Sequence, residues 1–327
     1  MNYRHLGNTE LKISELSFGT WAIGGSWGKT SDKEAILGLQ KAMEEGVNFF
    51  DTADVYGEGH AEELLAQATK GREHEVYIGT KFCRSKDIFD YETYSESSIR
   101  DLCEASLKRL NREQIDLYQI HCPPLEVLQH GEVFHVLDKL QSEGKIRYYG
   151  VSVETVEEGF ICLENPNVKS LQVIFNVFRQ KPIESLFPFA KEKGVGIIAR
   201  VPLASGLLTG KFNDDTRFEE NDHRHFNKDG EHFNVGETFA GLEFRVGVEL
   251  SRKIEWITRN RGNMTRAALR WILDNQSITT VIPGFKTVKQ VEDNLEALHV
   301  PSFSKEELEL LSNFYNEEVI QHIRGPY

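Results

Sequence analysis

Short, almost purely apolar runs recur along this chain, separated by longer segments whose apolar positions fall three and four residues apart. The runs are ELSFGT, VNFFDT, VYIGTK, IDLYQIH, RYYGVS, LQVIF, VGIIAR and TTVIPG. Continuous apolar character suits strands buried on both faces. The spacing between them predicts helices, for example over 32–45, 97–110 and 134–142. Several of these segments stop at a glycine, Gly46, Gly144 or Gly194, the residue that most readily takes the left-handed turn ending a helix. Eight strands alternating with helices imply a parallel sheet, and eight such units close most naturally into a (β/α)8 TIM barrel. An open doubly wound sheet is the alternative. A short hairpin precedes the first unit: YRHL, a turn at Gly7, Asn8 and Thr9, then LKIS.

Two segments break the alternation. Residues 211–236 are polar and rich in Asp, Asn and His, too long for an ordinary connection and so expected to carry function. A long extra helix over 237–261 is predicted after it, following strand seven. The segment SKEELELLSNFYNEEVIQHI predicts a C-terminal helix with a tail. Neither a repeat nor a low-complexity linker divides residues 1–327, which read as one domain.

The net charge of −13 argues against a nucleic-acid or anionic-membrane partner, because no basic excess is present to displace counterions from phosphates. No window approaches the ~18 apolar residues of a membrane helix. The start, MNYRHLGNTELKIS, lacks the apolar core of a signal peptide, so a cytoplasmic protein is expected. Cys83, Cys103, Cys122 and Cys162 form no CxxC pair and read as free thiols.

Barrel enzymes carry their chemistry at the carboxyl ends of the strands. Strand two ends in Asp51, strand three in Lys81 and strand four in His121, and Tyr56 follows Asp51 on the same loop. Each could merely terminate its strand; three on consecutive strands argue for a site. No serine or cysteine sits in a nucleophile turn, so acyl transfer is poorly supported. One His and one Asp make a thin metal site, and Lys81 would repel a divalent cation, so no metal is expected. A phenol beside an ammonium is more informative. The cation should draw the phenol's pKa down from ~10, with Asp51 holding Lys81 charged. His121 could hydrogen-bond the same oxygen that Tyr56 protonates. This set suits carbonyl reduction if hydride comes from elsewhere. A metal-dependent barrel hydrolase is a weaker reading.

The stretch GVNFFDTADVYGEGHAEELLAQ resembles the first signature of the aldo-keto reductase superfamily, and ESSIRDLCEASLKRLNREQIDLYQIH its segment leading into strand four. GKIRYYGVS, LQVIFN, VPLASGLLTGK and VIPGFKTVKQVEDNLEAL are similar to its later blocks, in order over about residues 3–300. The loop after GLLTGK resembles the branch holding the potassium-channel β-subunits and many general bacterial reductases. The resemblance implies a catalytic tetrad of Asp51, Tyr56, Lys81 and His121, with Tyr56 as proton donor. It also implies NADPH or NADP+ as cofactor, with NADH possible, and a small-molecule carbonyl substrate. A nicotinamide-binding regulatory subunit with little turnover is the alternative, and the oligomeric state is open.

There is no GxGxxG after the first strand, so a Rossmann site is not supported. GLLTGK is too short for a phosphate loop, and Phe212 stands where a hydroxyl is needed. Barrels instead hold phosphate at the loops after strands seven and eight, here PLASGLLTGK and PGFKTVKQVEDN. The resemblance implies that Gln172 meets the nicotinamide amide, that Pro202, Leu203, Ala204 and Gly206 cover the pyrophosphate, and that Lys211 lies along the phosphates. It places Gln290, Asp293 and Asn294 at the adenosine end and Lys286 at a 2′-phosphate, with Lys289 nearby. Gly19, Thr20, Trp21, Asp51, Ser152 and Gly284 complete the implied contacts.

Two positions depart from the pattern. Val153 replaces an asparagine, and Arg200 stands where relatives carry a ring that stacks on nicotinamide. Arginine can stack flat on an aromatic plane, but a cation beside nicotinamide would change affinity and favour the reduced ring over the oxidised one. The expected substrate pocket is Trp21, Tyr56, Phe82 and His121, with Trp27, Cys83 and Pro123 near its entrance; Trp27 and Phe82 could equally pack beneath loops.

Overall fold

The computed structural model describes every residue except Ser26 and Lys29. The opening hairpin pairs β1 (Tyr3–His5) antiparallel with β2 (Lys12–Ser14). Eight parallel strands follow: β3 (Phe18–Gly19), β4 (Phe49–Asp51), β5 (Tyr77–Phe82), β6 (Ile115–His121), β7 (Ile146–Ser152), β8 (Val168–Ile174), β9 (Gly196–Arg200) and β10 (Ile278–Val281). Each is bonded to its sequence neighbour from β3 to β10. Bridges Leu16–Val281 and Gly19–Gly284 join the two ends, and Ser17 N–H donates to the Val281 carbonyl at 2.9 Å. The sheet therefore closes on itself, which excludes the doubly wound alternative.

The hairpin is a stopper. Leu6, Leu11 and Ile13 are buried with Phe49, Leu117 and Ile198 in a small cluster inside the barrel's amino end. Gly7 has φ +57, and a Cβ there would lie 2.3 Å from the Gly194 carbonyl oxygen, so only glycine lets the turn seat this deeply. With that end packed, the carboxyl ends of the strands are left to form a cavity.

The helices follow the predicted spacing: Asp32–Glu44, Glu96–Leu110 and Glu132–Ser142. The glycines that stop three of the predicted segments all have positive φ, 89° at Gly46, 75° at Gly144 and 69° at Gly194. No membrane-length apolar helix is present among the described residues.

The continuous helix expected over 237–261 does not form. Short 3-10 turns, Val235–Glu237 and Phe239–Gly241, precede a helix confined to Phe244–Lys253. Phe239, Ala240 and Gly241 carry φ of 54°, 57° and 85°, which no helix accommodates. Ser205 holds this kink from both sides, its hydroxyl donating to the Glu237 carbonyl and accepting from Phe239 N–H, each at 3.1 Å. The competing interaction that defeats the periodicity is thus a tertiary one, which draws Glu237 into the barrel mouth. Near the end of the chain, Lys305–Phe314 continues through a π turn to His322, and Arg324 ties the tail to the Gly241 and Leu242 carbonyls.

Candidate active site

The register of β4, β5 and β6 is staggered, Asp51 pairing with Gly79 and Lys81 with Gln119, and Asp51, Lys81 and His121 each stand at or next to the carboxyl end of their strand. Lys81 is fully buried, its Nζ donating to Asp51 Oδ2 at 2.5 Å, to the Thr52 carbonyl at 2.8 Å and to Tyr56 Oη at 3.3 Å. Asp51 is held in turn by Gln172, whose amide donates to Oδ1 at 2.7 Å, and by Gln119 at 3.3 Å. Tyr56 reaches this group from the β4 loop. Its turn is tight because Gly57 (φ +61) would place a Cβ 2.2 Å from the Gly24 carbonyl oxygen. The resulting approach stacks Trp21 on Tyr56, ring centres 6.1 Å apart. The His121 ring meets Tyr56 edge-on at 5.9 Å.

The electrostatics differ from the sequence expectation at one point. Burial pushes the Tyr56 hydroxyl above its ordinary value; Lys81 pulls it down but Asp51 opposes that pull. The phenol is therefore a protonated donor at neutral pH, not one drawn down toward it. Burial alone would lower Lys81, but Asp51 and Tyr56 outweigh it and hold the ammonium charged. Burial, with Arg84, Lys81 and Arg200 nearby, holds His121 well below the usual range, so its ring is neutral.

Asp51, Tyr56, His121, Gln172 and Arg200 line a cavity of about 340 Å³. Gly19, Trp21, Pro202, Leu203, Gly206, Lys211, Gly284, Lys286, Gln290, Asp293 and Asn294 complete the expected lining that the structure brings to it. An adjoining groove shares Lys211, Gln290 and Asp293 and adds Arg266 and Lys289. The combined trough runs from the tetrad to an outer end where Lys41, Lys211, Arg266 and Lys289 stand among Glu45, Glu292, Asp293 and Glu296, an elongated shape that suits a dinucleotide. Ala204, Ser205 and Gly206 take φ of 48°, 54° and 105° in succession, a curl of the kind that receives phosphate oxygens. At the other end His121 Nδ1 and Arg200 Nε are buried with no hydrogen-bond partner among the described residues.

Some expected residues lie elsewhere. Phe82 is fully buried and stacked on Tyr118 at 4.7 Å; as an apolar residue on the outward side of β5, it belongs to the packing under the helices and not to a substrate pocket. Cys83 is buried with its thiol on the His121 carbonyl at 3.5 Å, and Pro123 is also buried away from the cavity lining. Ser152 faces Cys122, whose thiol donates to it at 3.4 Å. Thr20 is buried beside β4, its N–H on the Asp51 carbonyl. Ala204 shapes the phosphate-side turn without lining the cavity. Lys286 lines the cavity but donates to the Trp27 carbonyl; the outer groove is lined by Lys41, Lys211, Arg266 and Lys289, with Arg266 paired to Asp293 and Glu296. All four cysteines are free and buried.

Sequence reading missed Arg84, Glu154, Arg224 and Glu237. Glu237 Oε1 accepts from Arg84 at 2.8 Å and lies 3.4 Å from Arg200; Arg84 also reaches Glu154 at 2.8 Å. Arg200, expected from the sequence only as a cation beside the nicotinamide, therefore has a carboxylate partner in Glu237. Cys122, Glu154 and Glu237 come close enough to hold a metal ion, but these two arginines already supply the positive charge. Arg224, from the long loop, chelates Asp222 and lies over the rings of Trp27 and Phe218 at 4.9 and 4.5 Å. Trp27 pairs with Asp222 across the mouth. A polar loop with four spaced phenylalanines, Phe212, Phe218, Phe226 and Phe233, was the available signal, but the pairing is long-range.

A closed eight-stranded barrel with a Lys–Asp–Tyr–His cluster and a dinucleotide-shaped trough at its carboxyl end defines a nicotinamide-type barrel oxidoreductase site. The sequence matches the profile of the Aldo/keto reductase family over residues 15–316, and the chain belongs to that family. It is 31% identical over 301 residues to Aldo-keto reductase YhdN of Bacillus subtilis (strain 168), covering 89% of this chain and 87% of that protein. It is 30% identical over 324 residues to a probable voltage-gated potassium channel subunit beta of Arabidopsis thaliana, with 92% of each covered. Among solved structures, the glycerol dehydrogenase AKR11B4 from Gluconobacter oxydans superposes with a TM-score of 0.78 at 28% identity, covering 100% of this chain and 98% of that one.

Proposed function

We propose that this chain reduces an aldehyde or ketone to the alcohol, with NADPH as the preferred hydride source and Tyr56 as the proton donor. The observation that carries the reading is the Lys81 ammonium 3.3 Å from the Tyr56 hydroxyl while anchored to Asp51. Bound in the trough, a reduced nicotinamide supplies the hydride that the carbonyl carbon accepts. As the carbonyl oxygen gains negative charge, Tyr56 gives it a proton, and Lys81 stabilises the phenolate left behind. Neutral His121 offers an N–H to the same oxygen, and Trp21 and Trp27 shelter the site from water. Lys211 and Lys289, which line the outer groove, favour the extra phosphate of NADPH there.

Oxidation of NADPH against a panel of carbonyl compounds, with Tyr56→Phe beside the parent, tests this. The parent should turn over; Tyr56→Phe should lose about 10²–10⁴ in kcat while still binding cofactor. Equal rates would remove Tyr56 as the acid. Tight cofactor binding by the parent without turnover of any carbonyl would favour the regulatory reading suggested by the channel-subunit relative.

A further inference from the structure

The chemistry above makes no use of the Arg84–Glu237–Arg200 group. Arg200 and Glu237 line the same cavity as Tyr56, His121 and Gln172. Arg200 is 8% exposed, its Nη2 donating to the Val153 carbonyl at 3.3 Å and to the Cys122 sulfur at 3.4 Å, while its Nε has no hydrogen-bond partner among the described residues. Glu237 is 4% exposed and comes from the kinked turn that Ser205 holds. Two arginines and two carboxylates, Glu154 and Glu237, balance in charge at the mouth of β5, β7 and β9.

Oxidised and reduced nicotinamide rings differ by one positive charge. A fixed charge beside the ring therefore acts with opposite sign on that difference, and with little weight on the parts the two forms share. We propose, resting on the nicotinamide reading above, that Glu237 and Arg200 together set the relative affinity for the oxidised and reduced cofactor. Glu237 draws the balance toward the oxidised form and Arg200 toward the reduced form. The kink in 235–241 is the device that delivers the counter-charge to a position where a barrel strand end alone would leave a bare cation.

Calorimetric titration with NADP+ and with NADPH separates the two effects. In Glu237→Gln the ratio of Kd for NADP+ to Kd for NADPH should rise about tenfold; in Arg200→Met it should fall by about the same factor. The double variant should return close to the parental ratio. Ratios in both single variants within about twofold of the parent, or moving in the same direction, would overturn the proposal, because loosened packing weakens both forms alike. Should Glu237→Gln not fold, Arg200→Met decides alone, since Glu237 keeps its Arg84 partner there and the ratio must still fall. A parent that binds neither form would sink the nicotinamide reading itself, a result distinct from an unchanged ratio.

Discussion

The Lys81 ammonium lies between the Asp51 carboxylate and the Tyr56 hydroxyl, 2.5 Å from one oxygen and 3.3 Å from the other. One cation is thus shared by an acid that fixes it and a phenol that it tunes. Since burial raises the phenol's pKa and Lys81 opposes that rise, carbonyl reduction should be flat through neutral pH and fall only as the phenol loses its proton at high pH. Alcohol oxidation needs the phenolate and should rise over the same range. In Lys81→Met the downward pull is gone, so the oxidation limb should move to higher pH and reduction should slow by about 10²-fold or more. pH–rate profiles in both directions check this; an unmoved limb would detach Lys81 from the titrating group.

The approach of Gly57 to Gly24 places Tyr56, and it can be probed by adding one methyl group. Gly57→Ala puts a Cβ against a backbone oxygen in a left-handed conformation and should cost about 2–4 kcal/mol with a large loss of kcat. Gly71 has φ +80 with nothing within 4 Å of its added Cβ, so Gly71→Ala should cost only about 1 kcal/mol and leave kcat unchanged. Thermal unfolding and steady-state rates of the pair distinguish steric placement from backbone strain. Equal losses in both would refute the placement argument.

Arg224 joins the long loop to Trp27 over the cavity. Arg224→Met should leave the tetrad intact and raise the release rate of NADPH about tenfold, read by stopped-flow fluorescence of the nearby tryptophans. An unchanged release rate would mean that this loop does not hold the cofactor.

Asp54, two residues before Tyr56, is 4% exposed, and burial raises its carboxyl to about 6 despite a 2.6 Å hydrogen bond from Ser85. The folded state therefore binds a proton that the unfolded state, with an ordinary carboxylate, has already lost. Stability is lowered as pH rises from about 4 through 6 and stays lowered above it. Asp54→Asn removes this loss, so the variant should gain about 1–3 kcal/mol relative to the parent at pH 7.5 compared with the same difference at pH 4. Urea unfolding at the two pH values measures it; a difference independent of pH would show that Asp54 does not titrate differently on folding.

Much of this site was legible because barrel topology converts strand order into spatial order. Asp51, Lys81 and His121 needed only their strand-end positions, and Tyr56 only its place on the next loop. Phe82 was misread because neighbouring residues on a strand face opposite sides, and Lys81 had already taken the inward one. Glu237 was invisible for a different reason: its segment has helical periodicity, which a hydroxyl from a distant loop overrides. The lowered phenol was expected from Lys81 alone, without the weight of burial and of Asp51. Charges that meet across loops, such as Arg84 with Glu237, leave no spacing in the chain to be read.

The stoppered amino end has a consequence for traffic. With Leu6 and Leu11 filling the floor, the barrel is a cul-de-sac, and whatever reaches Tyr56 must enter and leave past the same tryptophans. Arrivals and departures through one doorway have to take turns: the molecule seated deepest comes first and goes last.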